Sequence, residues 1–278
     1  MSTISATAVK SLRDRTNAPM MDCKVALTEA NGDMDKAIEI LRKKNAGIQA
    51  KKGEREMAEG RIAIYIDPAK KVGAILEMRC ESAPSAKNEQ FVKLANDIAR
   101  HIALKGNAPI EELLKQPFVD DPNRTVNDRI GEVVGLIREN MRPARAMQLT
   151  GQLGSYCHHD GSIGVIIQVQ GAQANPQLLR DVCMHITARN PVAGRREDVS
   201  PEVIAKEKEI ARHQAAGTGK PANIVEKIAE GKMKTWFAES VLVEQPFVKD
   251  DSKSVGDLLN ANGLQVVQFI RFKVGELS

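Results

Sequence analysis

Residues 73–78, Gly-Ala-Ile-Leu-Glu-Met, return in altered form at residues 164–169 as Gly-Val-Ile-Ile-Gln-Val. A second related pair follows in the same order: Asp-Ile-Ala-Arg-His-Ile-Ala at residues 97–103 and Asp-Val-Cys-Met-His-Ile-Thr at residues 181–187. The first pair lies in predicted strands, and the second pair has the apolar spacing of amphipathic helices. Matched segments in the same order indicate an internal duplication of one strand-and-helix unit.

A third repeat locates an insertion in the second copy. Gln-Pro-Phe-Val-Asp-Asp at residues 116–121 matches Gln-Pro-Phe-Val-Lys-Asp at residues 245–250. The offset between the copies is 91 residues for the strands, 84 for the helices and 129 for this repeat, so about 45 residues have been added. The added segment is predicted to form an antiparallel helical hairpin, because a small-residue turn at residues 215–220 separates helical patterns at residues 201–214 and 221–243.

Each copy is predicted to begin with a β-hairpin. In the first, residues 61–66 place three isoleucines on one face, and residues 67–71, Asp-Pro-Ala-Lys-Lys, have the composition of a turn. The second hairpin has the turn His-His-Asp-Gly at residues 158–161. The other predicted strands are residues 72–80 in the first copy and residues 153–157, 164–169 and 264–274 in the second.

The N-terminal segment is predicted to form three short helices. Asn17 can end the first helix in a left-handed conformation, Pro19 suits the first turn of the second, and Asp33 can cap the third. The fold class is therefore α+β. We predict a three-helix module with its linker at residues 1–55, one core subdomain at residues 56–151 and a second at residues 152–278, with the hairpin inserted at about residues 199–243.

Composition and charge argue against several classes of protein. Residues 1–55 contain 11 Lys and Arg against 7 Asp and Glu, which leaves 29 of each sign for the rest of the chain. Without a basic stripe and interleaved aromatic residues, no nucleic-acid partner is predicted. No apolar stretch approaches the ~20 residues of a membrane helix, and no secretory signal is recognised at the N-terminus. Four cysteines without a CxxC pair are typical of reduced thiols, so we expect a cytoplasmic protein without membrane contact.

The motifs that could carry chemistry point away from an enzyme. His158, His159 and Asp160 resemble a metal cluster, but no Cys or His at matching spacing completes a site, so a polar hairpin tip is the better interpretation. Residues 217–220, Gly-Thr-Gly-Lys, precede Pro221 instead of the Ser or Thr of a phosphate-binding loop. No nucleophile and base pair is recognised. We therefore predict no catalytic residues, no metal, no cofactor and no direct nucleotide binding.

Two segments have the character of interaction surfaces. The first surrounds the first helix–helix junction and contains Arg13, Arg15, Met20, Met21 and Lys24, with the alternative that the methionines belong to the core. The second is residues 81–88, whose Ala, Ser and Pro content predicts an exposed loop, with a plain connector as the alternative. His101 and His185 occupy equivalent places in the two copies, which favours a structural or interface role over catalysis.

The chain closely resembles the translation elongation factor Ts family. The resemblance begins with Arg-Asp-Arg-Thr-Asn-Ala-Pro-Met-Met-Asp-Cys-Lys-Val-Ala-Leu at residues 13–27 and continues through residue 33. It extends over the whole chain in order, with further specific matches at residues 79–81, 181–188, 219–221, 245–256 and 269–276. The family fold agrees with the duplication, because it has a ubiquitin-associated-like three-helix module and two similar subdomains, the second with a helical hairpin.

The resemblance implies a guanine-nucleotide exchange factor whose partner is the GTPase elongation factor Tu. In the family the N-terminal module docks on the GTPase domain, which assigns contacts to Arg13, Met20, Met21 and Lys24. A Thr-Asp-Phe loop of the family inserts its Phe between partner helices, and it aligns here with Ser82, Ala83 and Pro84. The second subdomain grips another partner domain, a role expected for His185 and the turn at residues 158–161.

Two alternatives follow from the same residues. Because Pro84 replaces the aromatic wedge with a smaller and stiffer ring, the altered loop favours a structural or chaperone-like protein that binds elongation factor Tu with weak exchange activity. The apolar residues of the helical hairpin are compatible with self-association and with partner contact, and they do not decide between the two.

Overall fold

The computed structural model describes residues 4–217 and 221–276. The chain divides into two compact units. The first comprises Met1–Leu149, Cys157–Gly164 and Phe272–Ser278, and the second comprises Thr150–Tyr156 and Val165–Arg271. The domain boundaries expected near residues 55 and 151 stay a prediction.

The three N-terminal helices are confirmed as α1 (Ala6–Thr16), α2 (Met20–Glu29) and α3 (Met34–Lys52). Asn17 ends α1 with a φ of 52°, and the Asp33 side chain accepts hydrogen bonds from the first backbone N–H groups of α3. The shared apolar core is small and includes Leu12, Cys23 and Leu27. Helix α3 continues to Lys52, so the linker of the module begins only after that residue.

The last turns of α3 pack on the first core copy. Gln49 donates a 2.9 Å hydrogen bond from Nε2 to Asn127 Oδ1 on the facing helix, α7 (Val126–Ile137). A Cβ atom at Gly135 would overlap the Asn45 side chain, so glycine permits this close approach of the two helices. The helical module is thereby fixed to the first copy within the same unit.

The first copy has a three-stranded antiparallel sheet with one long helix packed on it. The sheet order is β1 (Glu59–Asp67), β2 (Val72–Cys80) and β5 (Met141–Thr150), and the β1–β2 pair runs in register from Glu59 opposite Cys80 to Asp67 opposite Val72. Helix α5 buries Phe91, Leu94 and Ile98 against β2. The elements are β1 (Glu59–Asp67), β2 (Val72–Cys80), α4 (Ala83–Lys87), α5 (Glu89–Lys105), α6 (Ile110–Leu113), β3 (Pro117–Phe118), β4 (Asp121–Thr125), α7 and β5 (Met141–Thr150).

The second copy repeats this plan and carries the hairpin. Its sheet has the order β10 (Leu264–Lys273), β7 (Ile163–Gly171) and β6 (Gln152–Cys157). Its elements are β6 (Gln152–Cys157), β7 (Ile163–Gly171), α8 (Pro176–Arg189), a short 3-10 helix (Arg196–Asp198), α9 (Pro201–Ala216), α10 (Ala222–Ser240), a second 3-10 helix (Leu242–Glu244), β8 (Pro246–Phe247), β9 (Asp250–Ser254), α11 (Val255–Ala261) and β10 (Leu264–Lys273). The predicted α+β class and the inserted helical pair are confirmed, although α10 ends at Ser240 rather than at residue 243.

The third sequence repeat marks a small ribbon that both copies contain. Its Pro-Phe pair forms the first strand of a two-stranded antiparallel ribbon, β3–β4 in the first copy and β8–β9 in the second. Each ribbon leads into a helix with a reciprocal capping box, Thr125 with Asp128 and Ser254 with Asp257. The repeated chemistry supports the duplication.

Candidate functional site

The exposed face of α2 carries an apolar patch. Met20 is 53% exposed, Met21 is 66% exposed and Val25 is 46% exposed. Met21 and Val25 lie four residues apart and therefore share one face of the helix. The buried side of α2 is already filled by Cys23, Ala26 and Leu27. The alternative that the methionines belong to the core is wrong.

The apolar patch, which we define as Met20, Met21 and Val25, is bordered by positive charge. Arg13 near the end of α1 and Lys24 within α2 are both exposed. In the part of the chain that the structure describes, neither forms an ion pair with a carboxylate. Both cations therefore remain able to meet carboxylates on another molecule.

Composition predicts an exposed loop at residues 81–88, but the segment Ser82–Pro84 within it is partly helical. It forms the start of the short helix α4, with Ser82 as the N-cap residue whose side chain accepts from the Ser85 N–H. Pro84 lies in the first turn, where its fixed φ suits a helix and its missing N–H costs little. Ala83 and Pro84 are exposed, whereas Ser85 is buried. The segment therefore presents a small and rigid surface.

Ser82 is held by polar groups from two directions. Its N–H donates a 3.1 Å hydrogen bond to Glu139 Oε2, and its hydroxyl donates a 2.7 Å hydrogen bond to Glu139 Oε1. The Cys80 thiol donates to the Ser82 carbonyl at 3.4 Å. Burial, and then the nearby charge of Glu139, raises the pKa of Cys80 to about 12, so the thiol stays protonated and available as this donor.

His185 is not available for a direct partner contact, which corrects our expectation. Its side chain has no exposed surface and lies between α8 and the β8–β9 ribbon. The Val248 N–H donates to Nδ1 at 3.3 Å, so Nε2 carries the hydrogen and donates to Gln245 Oε1 at 2.8 Å. The ring also stacks on Phe247. His185 therefore acts as a structural bridge.

The first copy contains the same histidine bridge. His101 is also fully buried, and its Nε2 bonds Gln116 Oε1 at 2.7 Å. The Val119 N–H donates to its Nδ1 at 3.2 Å, and the ring stacks on Phe118. Both copies thus use one histidine to join the long helix to the Gln-Pro-Phe-Val repeat.

We expect the free energy of unfolding to fall as the pH is lowered from about 7.5 to about 5.5. Burial lowers the pKa of His101 and of His185, so the folded protein favours the neutral rings. Their stabilisation is complete above the unfolded-state pKa of about 6.5. It is lost as the pH falls toward the lower folded-state pKa, because the unfolded chain then binds more protons. Urea unfolding at several pH values measures the slope.

The His185→Gln variant should be less stable at pH 7.5 but less sensitive to acid between the same limits. A glutamine amide can donate and accept hydrogen bonds but does not titrate in this range. His159→Ala is the matched control, because His159 is exposed at the hairpin tip and takes no part in either histidine bridge. An unaltered slope in His185→Gln would contradict the assignment.

The tip of the second hairpin has its own internal order. The rings of His158 and His159 lie 4.4 Å apart between centroids and are tilted against each other. Asp160 accepts hydrogen bonds from the Ser162 N–H and hydroxyl at 2.8 and 2.7 Å, and the first of these lowers the pKa of Asp160. Among residues 4–217 and 221–276, no group of three or more His, Cys, Asp or Glu side chains could hold a metal ion.

Two further expectations concern cysteines and the glycine-rich turn. All four cysteines are free thiols, and Cys157 is the one that is not fully buried. The sequence context argues against a phosphate-binding loop at residues 217–220, and three of these residues, Thr218–Lys220, lie outside the described residues. No helix within the described ranges is long and apolar enough to cross a bilayer.

Comparison with known proteins places the chain in a family. A family model described as "Elongation factor TS" matches residues 85–276. A protein named Elongation factor Ts from Aquifex aeolicus (strain VF5) is 42% identical over 286 aligned residues, with 99% of each chain covered. A protein of the same name from Halothermothrix orenii is 40% identical, and the alignment covers 98% of this chain and 93% of that protein. Another from Methylococcus capsulatus is 43% identical, and the alignment covers 98% of this chain and 92% of that protein. The chain therefore belongs to the elongation factor Ts family, and its role lies in the elongation stage of protein biosynthesis.

Proposed function

We propose that the protein is a cytoplasmic guanine-nucleotide exchange factor that binds elongation factor Tu and promotes the release of GDP. The observation that carries the proposal is the apolar patch on α2, in a module whose other large apolar residues are buried or partly buried. An exposed patch with a charged border is typical of a docking surface. The family membership supplies the chemical identity of the partner.

The proposed mechanism requires no catalytic side chain in this protein. An exchange factor binds the nucleotide-free partner better than the GDP-bound partner, and by linkage GDP weakens the factor to the same extent. A ~10⁴-fold acceleration of release corresponds to ~5.5 kcal/mol at the transition state for release. The partner holds GDP through phosphate-binding amides and Mg²⁺, and Mg²⁺ tolerates little departure from octahedral geometry. Small displacements of the phosphate-binding amides or of Mg²⁺ can therefore lower the barrier to GDP release by this amount.

We assign the docking and displacement steps to different segments. The apolar patch with Arg13 and Lys24 binds the GTPase domain, because it offers apolar area and unpaired positive charge. The segment Ser82–Pro84 presses near the Mg²⁺ side, because Ser82 is anchored by Glu139 while Ala83 and Pro84 are exposed. The turn at residues 158–161 contacts a distal partner domain in place of the buried His185. Self-association through the hairpin stays a prediction.

The proposal is tested by following the release of a fluorescent GDP analogue from elongation factor Tu at fixed Mg²⁺. We expect the protein to accelerate release, with a rate that saturates as its concentration rises. Binding without acceleration would contradict the exchange proposal and support the structural or chaperone-like alternative. Absence of binding would contradict both.

The Pro84→Phe variant should match or exceed the exchange rate of the unaltered protein. Position 84 is exposed at the start of α4, so an aromatic ring there can reach outward without disturbing the core. Phenylalanine offers a larger apolar surface than proline for insertion between partner helices. The maximal rate of GDP release measures the effect.

Lys87→Phe is the matched control, because it places the same ring at the exposed C-terminal end of α4. This control should give no gain in rate. A loss of more than about tenfold in Pro84→Phe would show that the contact depends on the smaller side chain.

A further inference from the structure

The turn Arg138–Asn140, which follows α7, contacts three distant parts of the same unit. Arg138 ends α7 in a left-handed conformation with a φ of 67°. Its guanidinium donates a 3.0 Å hydrogen bond to Asp22 Oδ2 on α2. Asp22 lies directly between Met21 of the apolar patch and the buried Cys23. The turn therefore reaches the proposed docking helix by an ion pair across 116 residues of sequence.

The next two residues of the turn reach the segment before α4. Glu139 accepts both the N–H and the hydroxyl of Ser82, and these are charge-assisted hydrogen bonds. The Asn140 N–H donates to Glu81 Oε1 at 2.5 Å. The turn thus holds Ser82, the first residue of the proposed displacement segment, and Glu81 directly before it.

Asn140 also ties the turn to the chain that leaves the helical module. Its side chain is buried, and Nδ2 donates to the carbonyl oxygens of Arg55 at 3.0 Å and Gly53 at 3.4 Å. The Lys52 ammonium donates to the Arg138 carbonyl. These bonds anchor the turn itself, because they join it to backbone that is already fixed by α3.

We infer that the turn Arg138–Asn140 is a positioning device that holds the docking helix α2 and the segment Ser82–Pro84 in one fixed relative geometry. The inference rests on the proposed function, in which both elements engage the partner at once. Binding energy gained at α2 can help Ser82–Pro84 displace partner elements only if the two segments are held rigidly together. If Ser82–Pro84 were loose, part of that binding energy would be lost in ordering it. Glu139 and Arg138 are positioning residues, and neither needs to touch the partner.

A positioning role and a merely structural role make different kinetic predictions. If Glu139 only stabilised the fold, a folded variant would bind and exchange as the unaltered protein does. If it positions Ser82, a folded variant would still dock through α2 but would displace the partner's elements less effectively. The maximal exchange rate would then fall more than the half-saturating concentration would rise.

The first experiment compares Glu139→Gln with the unaltered protein in the GDP-release assay over a range of factor concentrations. A glutamine amide keeps one acceptor oxygen for the Ser82 hydroxyl but turns an NH₂ group toward the Ser82 N–H. We expect the maximal rate to fall about tenfold and the half-saturating concentration to change less than about threefold.

Asp257→Asn is the matched control for the loss of this carboxylate. Asp257 Oδ2 accepts the N–H and the hydroxyl of Ser254 at 3.1 and 2.8 Å, a carboxylate–serine contact that lies within the local capping box of α11. Its replacement should leave both kinetic parameters within about twofold. Hydrogen exchange of the free protein gives a second readout, since the Ser82 amide should exchange faster in Glu139→Gln but not in the control.

Arg138→Gly tests the other arm of the turn. Glycine adopts the left-handed conformation readily, so the variant should fold, and Lys44 still pairs with Asp22 at 2.8 Å. Loss of the guanidinium should lower the maximal exchange rate about threefold with unchanged thermal stability.

If the unaltered protein does not accelerate release, the proposed function is wrong and this inference falls with it. If the unaltered protein is active and Glu139→Gln exchanges equally fast, or keeps its Ser82 amide protected, the positioning inference alone is wrong.

Discussion

Replacing Met20 and Met21 together by alanine is expected to weaken binding to elongation factor Tu about thirtyfold. Both side chains are more than half exposed in the free protein, so their apolar area is available for burial in a complex. A fully buried methionine side chain contributes ~1.5–3 kcal/mol, and alanine retains only part of that area. A combined loss of about 2 kcal/mol corresponds to about thirtyfold in Kd. Isothermal titration against nucleotide-free elongation factor Tu measures the change.

The same double variant should retain the stability of the folded protein. The two side chains do not fill the helical core, and alanine has a high helix propensity. Met147→Ala is the matched control, because Met147 is 38% exposed on β5 and lies outside the apolar patch. An unchanged Kd in a folded double variant would remove the docking assignment from α2.

The helical module was predictable because its signals are local. Asn17 and Asp33 end and begin helices through contacts within four residues, and the helix periodicity between them is short-range. The exposure of Met20 and Met21 was left open because periodicity does not show which apolar residues fill a three-helix core. The structure decides this, since Cys23, Ala26 and Leu27 occupy the core side of α2.

The elements that sequence patterns missed depend on distant partners. Strand β5 has no Val, Ile or aromatic residue and contains Pro143, and it is stabilised by pairing with β2. Helix α10 ends before its apolar pattern does, because the N–H groups of Leu242 and Val243 bond the carbonyls of Ala193 and Gly194. Those contacts take backbone donors that a longer helix would have used.

The buried histidines carry a signal in the sequence repeats themselves. His101 and Gln116 recur as His185 and Gln245, so the repeat already contained both members of each bridge. A polar residue that recurs with its partner is a candidate for a buried hydrogen bond. Glu139 carried no comparable signal, because its contact with Ser82 spans 57 residues and has no counterpart in the repeats.

Replacing Glu77 by alanine is expected to cost about 3–5 kcal/mol of unfolding free energy. The Glu77 side chain is only 3% exposed and lies between Arg79 and Arg145. Its Oε1 accepts from Arg79 Nη1 at 2.9 Å and from the Gly275 N–H at 3.0 Å, and its Oε2 accepts from Arg145 Nε at 2.7 Å. Alanine would leave two partly buried guanidinium groups and one backbone donor without this acceptor. Urea unfolding measures the loss.

Glu111→Ala is the matched control, because Glu111 approaches Arg142 at 4.0 Å with both side chains at least half exposed. Such a surface pair contributes at most about 1 kcal/mol, so the two variants should differ by about 2 kcal/mol or more. Glu77→Ala should also speed hydrogen exchange of the Gly275 amide, since that N–H loses its acceptor. Arg79 additionally bonds the Met57 carbonyl, and Arg145 bonds the Lys273 carbonyl. Equal stability of the two variants would mean that these carbonyls are sufficient hydrogen-bond partners for the two guanidinium groups. Glu77 would then contribute no more to stability than a surface charge does.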